Sequence, residues 1–396
     1  MECSEFDAIK VGIPIHPEAV RYEKEQEAKR PAEFIKCNRR KEKSMKKTLV
    51  LIVCVLSFIC WEGVCIGGEA FKPMTLRYAD GIPENSWFGK HHKWWANEVE
   101  KRSGGRIKIQ LFWMESLVKF KDMLPGIQSG IADLGWLNAT YHPSNLRNMI
   151  ILDNPGNFGR DYVAALLAKI DTMENEPNLR GEMEREDIVL LSSHISGLSQ
   201  IATKKSLESI KEIKGQTIRT YGGGRTKYLE YLGANPIFLS YSEIYEAMER
   251  GTVSSFEIAM NMSVAFKHHE VVKCIYMQNV GGALAGGTFI NRKLFNRFPQ
   301  DLQKMFVTLR HEYAIRYAQD LMEIEGKNFR EWETKHGIKM KNPSPEDQKI
   351  IADACQKAQD YMIKTQESQG APGARKVWDY YVKALKKYEG QGIVKK

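Results

Sequence analysis

Residues 213–257 place one arginine at the mouth of a glycine turn, and a planar cation beside free backbone N–H groups is anion-binding chemistry. Thr217-Ile218-Arg219-Thr220-Tyr221 is a β-branched and aromatic run that reads as a strand. Gly222-Gly223-Gly224 breaks it, and apolar residues then recur at helical spacing from Arg225 to Leu232. In an open α/β sheet, ligands sit beyond the carboxyl ends of the strands, where helix N-termini point unpaired N–H groups. Arg219 stands near such an end and carries the fork that matches a carboxylate. The stretch therefore predicts a site for a small anion.

Other chemistry-bearing residues give weaker signals. The pairs His91-His92 and His268-His269 resemble metal ligands, but neither has a carboxylate at ligand spacing, and Glu270 lacks the second histidine of H-E-x-x-H. They are expected to be solvated, with no metal and no cofactor. Gly197-Leu198-Ser199-Gln200-Ile201 begins like a nucleophile elbow and lacks its final glycine. Gly222–Gly224 matches neither a P-loop nor G-x-G-x-x-G. No nucleophile–base pair stands out, so catalysis is not expected.

The ends of the chain read as targeting sequence. Met45-Lys46-Lys47 followed by the apolar residues 49–61 has the n-region and h-region of a secretory signal, and residues 45–70 are expected to direct export to the periplasm. The charged residues 1–44 precede it, and a true start at Met45 would make them a gene-model extension. Of seven cysteines, Cys274 and Cys355 lie beyond residue 70. They could pair, although two buried free thiols are the preferred reading. The formal charge of +9 falls almost wholly on residues 71–396. Lys383, Lys386 and Lys387 lie close to Tyr380, Tyr381 and Tyr388, but no nucleic-acid motif accompanies them. A solvated helix face is expected there, with no nucleic-acid partner.

The positioning elements alternate. Residues 75–80, 107–112 and 131–138 read as strands, separated by helices over 86–103 and 119–130, which implies a parallel sheet with helical crossovers. Residues 188–193 form another strand, and the small, polar segment 194–199 marks a crossing into a second domain. Residues 218–221, 235–239 and 253–258 supply that domain's sheet. Gly281-Gly282 and Gly286-Gly287 mark the return, and residues 299–336 carry one long helix.

An ordered set of motifs carries a family resemblance from about Phe71 to the C-terminus. K-G-Q-T-I-R-T from Lys214 is followed by Y-L-G-A-N-P-I-F-L-S-Y-S-E-I-Y-E-A-M-E-R-G-T-V from Tyr231. L-R-Y-A-D-G-I-P-E-N-S-W from Leu76, S-G-G-R-I-K-I from Ser103 and I-Q-S-G-I-A-D-L-G from Ile127 precede them. G-G-T-F-I-N-R-K-L-F from Gly286 and F-P-Q-D-L-Q from Phe298 follow. The chain resembles the solute-binding proteins of tripartite ATP-independent periplasmic (TRAP) transporters, DctP family. That resemblance implies an α/β, two-lobed periplasmic binding protein fold, with mixed sheets, flanking helices and a long helix spanning both lobes. It divides the chain into lobe I (71–195 plus 283–325) and lobe II (196–282 plus 326–396).

The resemblance also implies roles. Arg219 corresponds to the arginine that grips the ligand carboxylate, Tyr241 to an aromatic that packs on the ligand, and Asn138 to a polar contact at a strand end. Trp136 shares a sheet face with Asn138 and is either core or pocket wall. Asn85 is a lid contact or an ordinary turn residue. Two positions depart from the family. Ser199 stands where well-known members have a second arginine, and Ile258 where many have an asparagine. Glu257 keeps the family acid, and a carboxylate facing an anion would repel it, so pairing with a neighbouring cation or backbone N–H is expected. A smaller or more apolar acid than a sialic acid is implied.

The implied function is capture of a small organic anion, a carboxylate above all, by a monomer whose lobes close on it. The closed form then delivers the ligand to TRAP membrane permease subunits. An exported enzyme acting on a small acid, or a sensor subunit of a signalling receptor, are the alternative readings.

Overall fold

The computed structural model describes residues 71–391; residues 1–44 and the expected signal at 45–70 lie outside it. Among the described residues, eleven strands form two sheets and eleven α-helices accompany them. The first half runs β1 (Met74–Ala79), α1 (Trp87–Arg102), β2 (Ile107–Phe112), α2 (Met123–Gln128), β3 (Leu134–Asn138), α3 (Tyr162–Asn175), α4 (Pro177–Arg185) and β4 (Ile188–Ser193). There follow β5 (Ser199–Thr203), β6 (Thr217–Thr220), α5 (Gly224–Tyr231), β7 (Asn235–Phe238), α6 (Ile244–Glu249), β8 (Ser255–Ala259), α7 (Met260–Ala265) and β9 (Cys274–Tyr276). The last part is β10 (Gly286–Asn291), α8 (Arg292–Phe295), α9 (Gln300–His336), β11 (Lys339–Lys341), α10 (Pro345–Ser368) and α11 (Ala374–Tyr388).

The five-stranded sheet has the order β2-β1-β3-β10-β4, and the six-stranded sheet the order β11-β9-β5-β8-β6-β7. The parallel arrangement expected for residues 74–138 holds, since β1 pairs parallel with both β2 and β3. Both sheets become mixed because each crossing sends a strand in against the grain. β10 arrives from the other sheet and lies antiparallel to β3 and β4. β5 likewise lies antiparallel to β8 and β9. The chain therefore passes between sheets at residues 194–198 and 277–285, and again through α9.

Local chemistry sets the element ends. Ser86 caps α1 by accepting from the Gly89 N–H at 3.0 Å, and Lys101 and Arg102 face the negative end of its dipole. Asp161 caps α3, and Ser344 caps α10 with Pro345 in its first turn. Gly337 ends α9 in the left-handed conformation. α9 packs against α1, α3 and β4. Farther along, Asn328 donates to Asn261 of α7 at 2.6 Å, so one helix spans both lobes. α11 lies along α3, which places residues 374–388 beside elements of the five-stranded sheet.

One expectation changes. The histidines expected to be solvated are largely buried: His91, His92 and His268 are each less than a tenth exposed. Helix α1 is sandwiched between its sheet and α9, so two adjacent positions can both lose water. His92 pairs with Asp80 and stacks on His194, and His91 lies against Trp87 and Tyr317. His268 packs on Phe256 and Tyr241 and shares a hydrogen bond with Ser263. His269 is half-buried against Trp332. Cys274 and Cys355 are free buried thiols in one core cluster, as preferred from sequence. Lys383, Lys386 and Lys387 are exposed on α11, whereas Tyr381 of the same helix is buried.

The two crossing segments approach without room for a side chain. A Cβ on Gly282 would collide with the Gly197 carbonyl oxygen, a backbone atom that cannot move aside cheaply. Gly282→Ala is predicted to lower stability by about 1–3 kcal/mol through overpacking. Urea unfolding measures it, and an unchanged midpoint would show that the segments part freely.

Candidate functional site

The site grows from the turn after β6. Gly222 and Gly223 both have positive φ (91° and 56°), and Gly223 is the residue on which α5 begins. A Cβ on Gly224 would lie 2.5 Å from the Asn154 side-chain oxygen, so a larger residue here would have to displace that amide. This turn fixes two arginines six residues apart with opposite fates.

Arg225, on the first turn of α5, is wholly buried and ion-paired to Glu257 of β8 at 3.3 Å. Its other terminal nitrogen donates to the Val280 carbonyl at 3.3 Å. Glu257 also accepts from the Thr220 hydroxyl at 2.9 Å and the Tyr221 N–H at 3.4 Å. Its charge is spent inside the protein, which is the pairing expected for it, and it does not line the cleft.

Arg219 has no such partner. It is 1% exposed and makes no ion pair with any described residue. Its Nε donates to the Leu239 carbonyl at 2.9 Å, while Nη1 is buried without a hydrogen-bond partner. The guanidinium lies over the rings of Tyr221 and Tyr241, 4.6 and 5.1 Å from their centroids. Those π faces offset part of the cost of desolvating the cation, but they leave its N–H groups unused. The Tyr241 hydroxyl is committed to Ser263 at 2.9 Å, so the ring presents its face rather than its oxygen. Burial pushes the Tyr241 hydroxyl up to about 12, and both tyrosines stay neutral at ordinary pH.

Arg219 opens onto a cleft between the two sheets. The wall facing it comes from the five-stranded sheet: Trp136 and Asn138 on β3, Phe120 before α2, and His194 after β4. Met262 of α7, Tyr317 of α9 and the crossing residues Ser196 and Ala283 close the remaining sides. The Asn138 side-chain oxygen accepts from the Thr140 N–H and hydroxyl, each at 2.8 Å. A backbone N–H can donate only to the oxygen, so the orientation of this amide is fixed and its NH2 group is left to donate. At the rim the walls touch, with Tyr141 edge-on to Phe238 at 5.7 Å and Lys121 3.8 Å from Glu243.

Of the residues named from sequence, Arg219, Asn138, Tyr241 and Trp136 meet around one cleft. Strand alternation brings Trp136 and Asn138 there together. Asn85, Ser199 and Glu257 do not line it. Asn85 is exposed in the loop before α1. Ser199 is buried at the start of β5, where its backbone N–H bonds Gly281, so loss of the second arginine leaves a strand residue rather than a new contact. Ile258 sits in the core. Sequence reasoning missed His194, Tyr221, Phe120 and Met262. Tyr221 carried a signal, since it lies two residues beyond Arg219 on a strand and so on the same face. The others come from distant segments that only the fold unites.

A buried arginine without an ion pair to any described residue thus lies in an aromatic cleft between two α/β lobes, the architecture of a two-lobed binding protein. The family model for bacterial extracellular solute-binding protein, family 7 (DctP), matches residues 78–366. The chain belongs to this family and is an extracytoplasmic solute-binding protein. It is similar to the C4-dicarboxylate-binding periplasmic protein DctP of Rhodobacter capsulatus, at 24% identity over 59% of this chain and 69% of that protein. Among solved structures it is similar to a marine metagenome TRAP solute-binding protein specific for aromatic acids, crystallised with 3-hydroxybenzoate. The TM-score is 0.72 and the identity 19%, covering 80% of this chain and 99% of that one. A Bordetella pertussis extracytoplasmic solute receptor binding pyroglutamic acid gives a TM-score of 0.67 at 17% identity, over 78% and 99% of the two chains.

Because Arg225 neutralises Glu257, removing that arginine should leave a buried carboxylate unpaired. Arg225→Met is predicted to cost about 3–5 kcal/mol of stability, measured by denaturant unfolding. A loss below about 0.5 kcal/mol would mean that the pair does not hold the β6 turn.

Proposed function

We propose that the chain captures a small organic monocarboxylate of apolar body and hands it to the membrane permease subunits of a TRAP transporter. The observation that carries this reading is Arg219, a buried guanidinium that makes no ion pair with any described residue and faces an aromatic cleft. The ligand carboxylate sits between the Arg219 guanidinium and the Asn138 NH2 group. Charge-assisted bonds of that kind are about twice as strong as neutral ones. The apolar body packs on Phe120, Trp136 and Tyr241. Among the described residues lining the cleft there is no lysine and no second arginine, which favours one carboxylate over two.

The three relatives above bind different acids, and a carboxylate is what those acids share. Here Ser199 and Ile258 remove polar contacts on the Arg219 side, and the aromatic walls suit a ring or a short hydrocarbon. Closure follows from geometry. Arg219 and Asn138 stand on opposite sheets, so a ligand bound to both stabilises the closed arrangement over the open one. The hinges are the crossings at 194–198 and 277–285, with lobe I formed by 71–195 and 283–325 and lobe II by 196–282 and 326–396. The reading assigns no chemical step and no cofactor. It places a monomer in the periplasm after export by residues 45–70.

A thermal-shift screen of small acids on protein stripped by unfolding and refolding tests the reading. An acid at about 100 times Kd should add roughly 2.7 kcal/mol of stability. Arg219→Ala should weaken that acid by about 2–5 kcal/mol, because its carboxylate loses a buried partner. Absence of any stabilising acid, or equal binding by the variant, would overturn the assignment. Small-angle scattering gives a second check: the radius of gyration should fall on saturation, and an unchanged value would argue against closure.

A further inference from the structure

The mouth of the cleft carries contacts between the two sheets' sides that involve no ligand. Tyr141, just after β3 of the five-stranded sheet, lines the cleft and reaches across it. Its ring stacks on Phe120 of its own side at 5.6 Å and meets Phe238, at the end of β7, edge-on at 5.7 Å. Its hydroxyl accepts from the Tyr241 N–H and lies in the field of Arg219. Burial raises this phenol by more than those two groups lower it, so it stays neutral. Beside the rings, Lys121 lies 3.8 Å from Glu243 of the other side. Phe238 is the member whose place needs explaining. It is 41% exposed on an edge strand, and it does not line the cleft. The glycine turn seats it: a Cβ on Gly222 would stand 3.1 Å from its ring.

Resting on the closure proposed above, we infer that Tyr141 and Phe238 form a clasp across the mouth, which holds the two sides together from outside the ligand contacts and sets how long a bound acid stays. Every contact in the clasp joins a residue of the five-stranded side to one of the six-stranded side, so opening must break all of them together. A bound acid leaves from the open arrangement, and whatever favours the closed one lengthens its residence. The clasp residues find each other with or without a ligand, so the clasp also keeps part of the ligand-free population closed. The ring pair and the Tyr141 hydroxyl carry most of the effect. Lys121 and Glu243 are both exposed, and water screens their attraction.

Phe238 makes the test clean, because its side chain is exposed and touches no ligand position. Stopped-flow release of benzoate and of butyrate from the stripped and reloaded protein reads the residence time. Phe238→Ala should speed release by about three- to tenfold, through loss of an aromatic pair. Phe238→Tyr, which keeps the ring, should stay within about twofold of wild type. Lys121→Ala should change release by less than about threefold. Association should slow in none of them. Unchanged release from Phe238→Ala, or an association rate that falls as far as release rises, would overturn the clasp and leave Arg219 standing. The ligand-free protein supplies a readout independent of the carboxylate reading. Nitroxides on Ile131→Cys and Tyr231→Cys, exposed positions one on each side, report their separation by double electron–electron resonance. Adding Phe238→Ala should displace that distance distribution, and an identical distribution would also overturn the clasp. If neither acid binds the wild-type protein, the carboxylate reading loses its support and the label distances alone decide the clasp.

Discussion

The structure depends on one buried carboxylate that pairs with Arg225 and not with Arg219. Glu257 lies in β8, next to β6, on the strand face of Thr220 and not that of Arg219, which is in register with Phe256. The glycine turn instead brings Arg225 back over the sheet, where it takes Glu257 together with the Thr220 hydroxyl and the Tyr221 N–H. Arg219 is left as a buried cation with a carbonyl and two π faces for company. Breaking a buried pair costs several kcal/mol, and an unpaired buried charge exacts a similar cost continuously. The protein bears that cost at Arg219, and the proposed ligand carboxylate would relieve it.

The rest of the fold holds the second wall against the first. Asp153 accepts backbone N–H groups from Leu284 and Ala285, and Asn157 bonds both Leu152 and Gly282. Lys169, buried with its pKa drawn down to about 7 by desolvation, donates to the carbonyls of His194 and Gly286. One lysine thus ties the end of β4 to the start of β10, the strands on which the two crossings are anchored. Asn138 and His194 keep their places because these polar groups satisfy the crossing backbone, which has no sheet partner of its own. The cleft is shaped by backbone hydrogen bonding as much as by packing.

Much of this was legible in the sequence. Strands such as Ile107–Phe112 and Ile188–Ser193 have period-two or β-branched patterns that define them without context. Arg219 was legible because a cation and a glycine turn stand beside each other in the chain. Three things were not. α3, with the buried run from Tyr162 to Met173, is apolar almost all round and offers no amphipathic stripe to read. β5, β9 and β11 are short strands whose partners lie far away in sequence, so pairing rather than propensity makes them strands. His91 and His92 looked solvated because adjacent helix positions face different ways, yet α1 is covered on both flanks. Glu257 shows the same limit: a pairing with some cation or N–H was expected from its type, and only the fold names Arg225 as the partner.

The most direct measurement is native mass spectrometry of the protein purified without unfolding, beside its Arg219→Ala variant. The account predicts one small acid bound per wild-type chain and an empty variant that remains folded. An unliganded wild-type protein whose spectrum no added acid changes, or an acid retained equally by Arg219→Ala, would contradict the claim that the unpaired guanidinium is the anchor.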